Sequence, residues 1–428
     1  MDVSAGAATS SSIAAVWRIE SARIVATLAR VTGDFALAED LAQDALAEAL
    51  QTWPRDGVPD NPGAWLTAVA KRRAIDGWRR RERLDERYAA IAHDLAESAE
   101  EEWRPIPDDV LRLIFTACHP VLSREAQVAL TLRVVGGLGS DEIAAAFLVS
   151  VPTIQARITR AKKTLSAAQV PFEVPDPSEW QPRLGSVLAV LYSIFTEGYA
   201  ATSGDGWVRD DLAHEALRLV RILAQLVPRE SEVLGLLALV ELQASRFASR
   251  IDAEGDPVLL PDQDRRRWDR SAIARGRAAL RAVDALGRGR GAYALQAGIA
   301  EVHAVAARYA DTDWERIVLL YEALGRIAPS PVVELNRAVA VSMASGPAEG
   351  LALVDALAAE GALRDSHLLA AVRGELLARL QRPAEAREEL LRAADLAGNG
   401  ARRRSLLAKA LELGAAATGG GTDADPRL

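Results

Sequence analysis

Ile154, Ile158, Ala161 and Leu165 recur at helical spacing and bury one face of a helix. Thr153, Gln155, Ala156, Arg157, Arg160 and Lys163 then point outward, and Lys162 adds a further cation. Such a face suits the major groove of DNA. Arg157 fits a guanine and Gln155 an adenine, each worth about 1–3 kcal/mol of discrimination. Lys162 and Lys163 fit phosphates. Ahead of this helix a Gly-Gly-Leu-Gly break leads to Ser140, a good N-cap, followed by a short helix that ends near Phe147. Ser150 can cap the second helix, with Pro152 in its first turn. The pair reads as a helix-turn-helix over 139–165, or else as a helical hairpin with a solvated basic face.

A second charged pattern lies upstream. Asp40, Asp44 and Glu48 repeat every four residues, with Gln43 beside them. Like charges at that spacing cost a few tenths of a kcal/mol per pair. The stripe is either an ordinary solvated face or a surface that docks a basic partner. Leu37, Leu41, Leu46, Leu50 and Trp53 are the expected apolar positions of this helix, read as about Leu37 to Trp53. A helix before it is expected from about Ile13 to Arg30. Pro54, Gly57, Pro59, Pro62 and Gly63 mark a loop, with Asn61 suited to cap the next helix. That helix carries Lys71, Arg72 and Arg79. From Lys71 to Arg87 there are eight basic residues against four acidic.

Other chemistry finds little support. Asp262, Asp264 and Asp269 lie among Arg265, Arg266 and Arg267, and Asp311, Asp313 and Glu315 flank Trp314. Mixed runs of this kind are expected to be helix caps and ion pairs rather than an acid–base site. Phe195, Tyr199 and Trp268 are expected to be packing rather than a ligand cage. Cys118-His119 lacks a second ligand pair, so no metal is expected. The Gly-rich stretch 136–139 lacks the Lys-Ser/Thr of a phosphate loop, and no cofactor is expected.

These elements sit in a chain of 428 residues, half of them apolar, with a net charge of −8 and a single cysteine. The excess of Ala, Leu, Arg and Glu over strand formers predicts an all-α fold. No signal peptide or membrane span is expected, which fits a soluble, cytoplasmic protein with no membrane partner. The net acidity conceals local basic patches, since Lys71, Lys162 and Lys163 are three of the four lysines. Between the two basic modules, residues 93–109 hold seven acids and one arginine, which reads as a flexible acidic linker. Downstream of a Pro-rich connector the chain is expected to be helical. Three helix pairs start at about Gly291, Pro331 and Ser366, near the period of a tetratricopeptide repeat. Disorder is expected from Ala415.

The stretch GDFALAEDLAQDALAEALQTW resembles regions 2.1–2.2 of the extracytoplasmic function sigma factors of bacterial RNA polymerase. NPGAWLTAVAKRRAIDGWRRR, with its Trp65-Leu66 pair, resembles regions 2.3–2.4, and residues 139–165 resemble region 4.2. VLYSIFTEGYAAT, LLPDQDRRRWDR, DTDWERI and PSPVVELNRAVA resemble the subgroup with a tetratricopeptide-like C-terminal extension.

The resemblance implies two small helical sigma domains, the second a helix-turn-helix, joined by a flexible acidic linker and followed by an α-helical repeat domain. It implies region 2 over 12–90, the linker over 91–108, region 4 over 109–170, a connector over 171–184, the extension over 185–414 and a tail over 415–428. Asp40, Gln43, Asp44 and Glu48 match the surface that docks on the coiled coil of the polymerase β′ subunit. Trp65, Lys71, Arg72 and Arg79 match the −10 reader. The loop from Pro54 to Asn61 matches the segment that holds a flipped-out base. The helix carrying Thr153, Gln155, Ala156, Arg157, Arg160, Lys162 and Lys163 matches the −35 reader. Core RNA polymerase (β′ coiled coil and β flap) and promoter DNA are the implied partners. A small DGPF- or YCII-like protein is a further one, since genes for such proteins lie near members of the subgroup. The extension is implied to control activity. Two rivals stay open: a helix-turn-helix regulator with a repeat-type sensor, and an enzyme or small-molecule binder housed in the extension.

Overall fold

The structure is a computed structural model that describes residues 3–81, 107–147, 149–176, 178–199, 210–252, 258–361, 363–398 and 400–419. Every extended element among them is helical. The chain divides into two compact units, Met1–Ser193 and Ile194–Leu428.

In the first unit α1 (Val3–Thr32), α2 (Phe35–Asp56) and α3 (Pro62–Arg81) pack on one another. The α1–α2 turn uses Gly33 at φ 64° and Asp34, whose carboxylate accepts from the backbone N–H groups of Ala36 and Leu37. Helix α1 starts ten residues before the Ile13 expected from the sequence. The buried face of α2 is Phe35, Ala38, Leu41, Ala42, Ala45, Ala49 and Trp53. Alanines carry much of it. The expected leucine stripe holds only in part, because Leu50 is 48% exposed and Leu37 and Leu46 are half-buried. Small residues suit the close packing of α2 on α1, in which Ala22, Ala26 and Ala29 are also buried.

Pro54 lies inside the last turn of α2 rather than in a loop. The helix ends where Gly57, at φ 85°, donates its N–H to the Trp53 carbonyl. The candidate base-holding loop is therefore only Gly57–Asn61. Asn61 caps α3 as expected, its Oδ1 accepting from Ala64 N at 3.1 Å.

Helices α4 (Pro107–Ala117), α5 (Arg124–Val134), α6 (Ser140–Phe147) and α7 (Val151–Ala167) follow. The acidic stretch lies mostly outside the described residues. Its last member, Asp109, is not linker at all: it is 3% exposed within α4. At the start of α6 the cap is Gly139, with Ser140 one place further in. Glu142 supplies the capping arm by accepting from Gly139 N at 2.7 Å. Helix α8 (Trp180–Tyr199) begins inside the stretch read as a Pro-rich connector. Trp180 meets Phe115 at 5.1 Å between ring centroids, and Arg183 donates to the Phe115 carbonyl.

In the second unit α9 (Asp210–Leu226), α10 (Ser231–Ala244), α11 (Arg270–Ala285) and α12 (Ala292–Val305) form one end. Glu241 of α10, 1% exposed, joins Arg221 of α9 and Arg275 of α11. Helices α13 (Trp314–Ile327), α14 (Pro331–Ala344), α15 (Pro347–Ala359), α16 (His367–Arg379) and α17 (Pro383–Leu396) continue it. The repeat pairs α12/α13, α14/α15 and α16/α17 start next to Gly291, Ser330 and Ser366, in line with the period seen in the sequence. The last helix, α18 (Gly400–Gly419), carries the chain past Ala415, so residues 415–419 are helical where disorder was expected.

The Asp/Arg runs are caps and ion pairs. Asp264, Asp269 and Asp313 each accept backbone N–H groups at the start of a helical turn, and Asp311 pairs with Arg308. Arg265, 8% exposed, donates Nη1 to the carbonyls of His303 and Ala306, closing the C-terminus of α12. Trp268, 3% exposed, lies under its guanidinium at 4.6 Å from the ring centroid.

Candidate nucleic-acid interface

Helix α7 is built to present one face. Ser150 Oγ accepts from Thr153 N and meets the Thr153 hydroxyl at 2.8 Å, fixing the first turn. Ile154, Ile158, Ala161 and Leu165 are buried beneath it. Thr153, Gln155, Ala156, Arg160 and Lys163 are exposed, and Arg157 is half-buried. Arg157 and Arg160 border a cleft of about 350 Å³ shared with Val121, Leu122, Ser123 and Glu125. The Glu125 carboxyl titrates below its usual range, mainly because its own backbone N–H and the Ser123 hydroxyl donate to it, with Arg157 adding attraction.

Lys162 departs from that face. It is half-buried, and its Nζ donates to Glu39 Oε2 at 2.5 Å and to Asp40 Oδ1 at 2.7 Å. Burial alone would lower its pKa, but the two carboxylates outweigh burial and raise it. Arg133 of α5 donates to Glu39 Oε1 at 3.1 Å.

On α2 the expected acidic stripe is present and partnered within the chain. Asp40 and Asp44 are exposed, and Gln43 and Glu48 are half-buried. Arg73 lies 2.9 Å from Glu48 and 3.5 Å from Asp44. Its pKa is raised, first by the hydrogen bond to Glu48. The repulsion along α2 is thus relieved by Arg73 and Lys162.

On α3, Arg72 is exposed, while Lys71 is half-buried and has its pKa lowered by burial and by the nearby Arg30. Trp65 packs edge-on against Trp53 at 5.3 Å. The side chain of Arg79 lies outside the described residues.

Sequence reasoning missed Glu39, Arg133 and Arg73. Glu39 sits beside the stripe but is 3% exposed, and nothing in the local pattern marks a carboxylate as buried. Its partners are 94 and 123 positions away.

Comparison with known proteins agrees with this layout. The sigma-70 region 2 family matches residues 18–84, and the sigma-70 region 4 family matches residues 112–165. Probable extracytoplasmic function RNA polymerase sigma factor SigI of Mycobacterium tuberculosis is 27% identical over 167 residues. The chain carries sigma-70 region 2 and region 4 domains and has extracytoplasmic function sigma factors among its homologues. The alignment with SigI spans 38% of this chain and 57% of SigI. Sigma factor SigK of Mycobacterium ulcerans is 27% identical over 33% of this chain and 78% of its own.

Two further matches reach into the extension. Residues 183–284 match a family of unknown function, DUF6596. An uncharacterized protein of Rhizobium meliloti is 45% identical over 377 residues, covering 85% of this chain and 86% of that protein. No solved structure matches. This sigma factor acts in promoter recognition. A regulator with only a helix-turn-helix has no use for the region 2 match, so that rival is disfavoured. No described helix is long and apolar enough to cross a membrane.

Proposed function

We propose that this sigma factor joins core RNA polymerase through α2 and reads the two promoter elements with α3 and α7. Asp40, Gln43, Asp44 and Glu48 dock on the β′ coiled coil, with exposed Leu50 adding an apolar contact on the same helix. Trp65, Lys71, Arg72 and Arg79 meet the −10 element as it melts, and Gly57–Asn61 holds a flipped base. Unstacking a base costs a few kcal/mol and is repaid by such contacts. Thr153, Gln155, Ala156, Arg157, Arg160 and Lys163 read the −35 duplex, Lys162 reaches a phosphate, and region 4 meets the β flap. The working modules are residues 12–90 and 109–170. The protein has no catalytic role of its own and is nucleoid-associated when bound to polymerase. Its helical-repeat extension modulates activity, with a small DGPF- or YCII-like protein as a candidate partner.

The observation that carries this reading is the exposed polar face of α7 above four buried residues, in the same chain as the region 2 match. The test is run-off transcription by the full chain with bacterial core polymerase on promoters from its own genome. A specific transcript that is lost on Arg157→Ala supports the reading. No transcript under any condition, with or without the extension, refutes it.

A further inference from the structure

Arg265 Nη2, Trp268 Nε1, His303 Nδ1 and Thr312 Oγ1 are buried and have no hydrogen-bond partner among the described residues. They share one neighbourhood at the C-terminus of α12. The Arg265 guanidinium lies 4.6 Å from the centroid of the Trp268 ring, and its Nη1 donates to the His303 carbonyl. The turn that leads to Thr312 carries Tyr309 and Asp311, both close enough to Arg265 to act on its charge. Tyr309 and His303 both meet the ring of Trp314.

Packing accounts for the indole ring of Trp268, and closure of α12 accounts for Arg265 Nη1. Neither accounts for the indole N–H or for Nη2. A buried donor left without a partner is costly, and more so on a charged group. The charge itself is also poorly matched. Arg265 is 8% exposed, while the acids beside it pair elsewhere, Asp264 with Arg266 and Asp311 with Arg308. Arg246, 5.8 Å from the same indole, and Arg270 add further positive charge.

We propose that this cluster is a binding site for a small organic carboxylate, held by Arg265 Nη2 and the Trp268 N–H, with His303 Nδ1 and the Thr312 hydroxyl completing its hydrogen bonds. A carboxylate presents acceptors only, which matches a guanidinium and an indole that can only donate. It supplies the counter-charge that Arg265 lacks. A monoanion suits a buried site better than a phosphate dianion, which costs more to strip of water. The neighbouring aromatic rings offer apolar surface to the rest of the molecule. The site lies wholly within the second unit, so its test is independent of the polymerase and DNA reading.

The test uses the full chain with three probes: sodium acetate, sodium benzoate and inorganic phosphate. Each is compared with sodium chloride at equal ionic strength. At least one of the two carboxylates is expected to raise the melting temperature saturably, as a ligand of the folded state must. Hydrogen exchange by mass spectrometry is expected to slow over 258–270 and 303–314 while α1–α3 stay unchanged. Trp268→Phe keeps an aromatic ring and removes the N–H, and is expected to weaken carboxylate binding about tenfold. Thr312→Val removes only a hydroxyl and is expected to weaken it several-fold, which keeps the test alive if the first variant fails to fold. No effect of either carboxylate overturns the proposal. So does protection by phosphate alone, which means the wrong class of anion. Protection that survives both substitutions, or that falls outside these two segments, places the binding elsewhere and overturns it too.

Discussion

Lys162 Nζ lies 2.7 Å from Asp40 Oδ1, joining a residue expected at a DNA phosphate to one expected at a polymerase subunit. The pairing persists over a definable pH range. Glu39 and Asp40 raise the pKa of Lys162 against the opposing effect of burial. The protonated amine is the stabilising form. Its contribution is complete below the ordinary lysine value of 10.5 and is lost only as pH rises through the raised value.

Between about pH 6 and about pH 9, then, Lys162→Met is expected to destabilise the first unit by a constant amount, about 1–3 kcal/mol. Denaturant unfolding of both proteins across that range measures it. A difference that shrinks before the lysine range is reached contradicts the ion pair.

Arg157 and Lys163 share a helix and are expected to do different work. Arg157→Ala is expected to cost about 1–3 kcal/mol at one base pair of the −35 element and to relax preference there. Lys163→Ala is expected to weaken all promoters evenly and to lower the salt slope of binding by about one. Anisotropy titrations against a panel of single-base variants at several salt concentrations separate the two. Equal effects on every sequence from both substitutions sink the division.

Much of α7 was legible because its signals are local. Ser150, Pro152 and the spacing of Ile154, Ile158, Ala161 and Leu165 all lie within one helix. The repeat pairs of the extension were legible for the same reason, through Gly291, Pro331 and Ser366. The burial of Glu39 was not, because it depends on α5 and α7 arriving from far along the chain. The leucine stripe of α2 survives only at Leu41 and Trp53. Close approach to α1 selects alanine for the buried face, and a search for large apolar side chains overlooks it. Arg73 lay in plain view among the basic residues, yet its tie to Asp44 and Glu48 is set by how α3 crosses α2.

Cys118 offers a chemical check on the core. It is 1% exposed, its sulfur is 3.4 Å from the Thr131 hydroxyl, and burial pushes its pKa up to about 11. Thiolate is the reactive form. The folded chain is expected to resist an aromatic disulfide reagent at neutral pH and to react with one equivalent once unfolded. Prompt labelling of the native protein means that α4 and α5 open far more readily than their packing implies.

His303 is expected to make the extension sensitive to acid. It lies on α12 with its ring 5.2 Å from Trp314, and its pKa is pushed down to about 4 by burial and by Arg246 and Arg265. The neutral ring is the folded form, so its contribution to stability is present above the unfolded value of 6.5 and is lost as pH falls toward about 4. At 1.36 kcal/mol per unit this amounts to roughly 3 kcal/mol at most. His303→Gln is expected to flatten that part of the stability profile. Thermal melts of the two full chains between about pH 7 and about pH 4 decide it, read at the transition that includes α12. Identical slopes mean that His303 is hydrated and protonates freely in the folded state. A flattened slope makes the α12–α13 junction the acid-labile point of the extension, where Arg265 closes the same helix end.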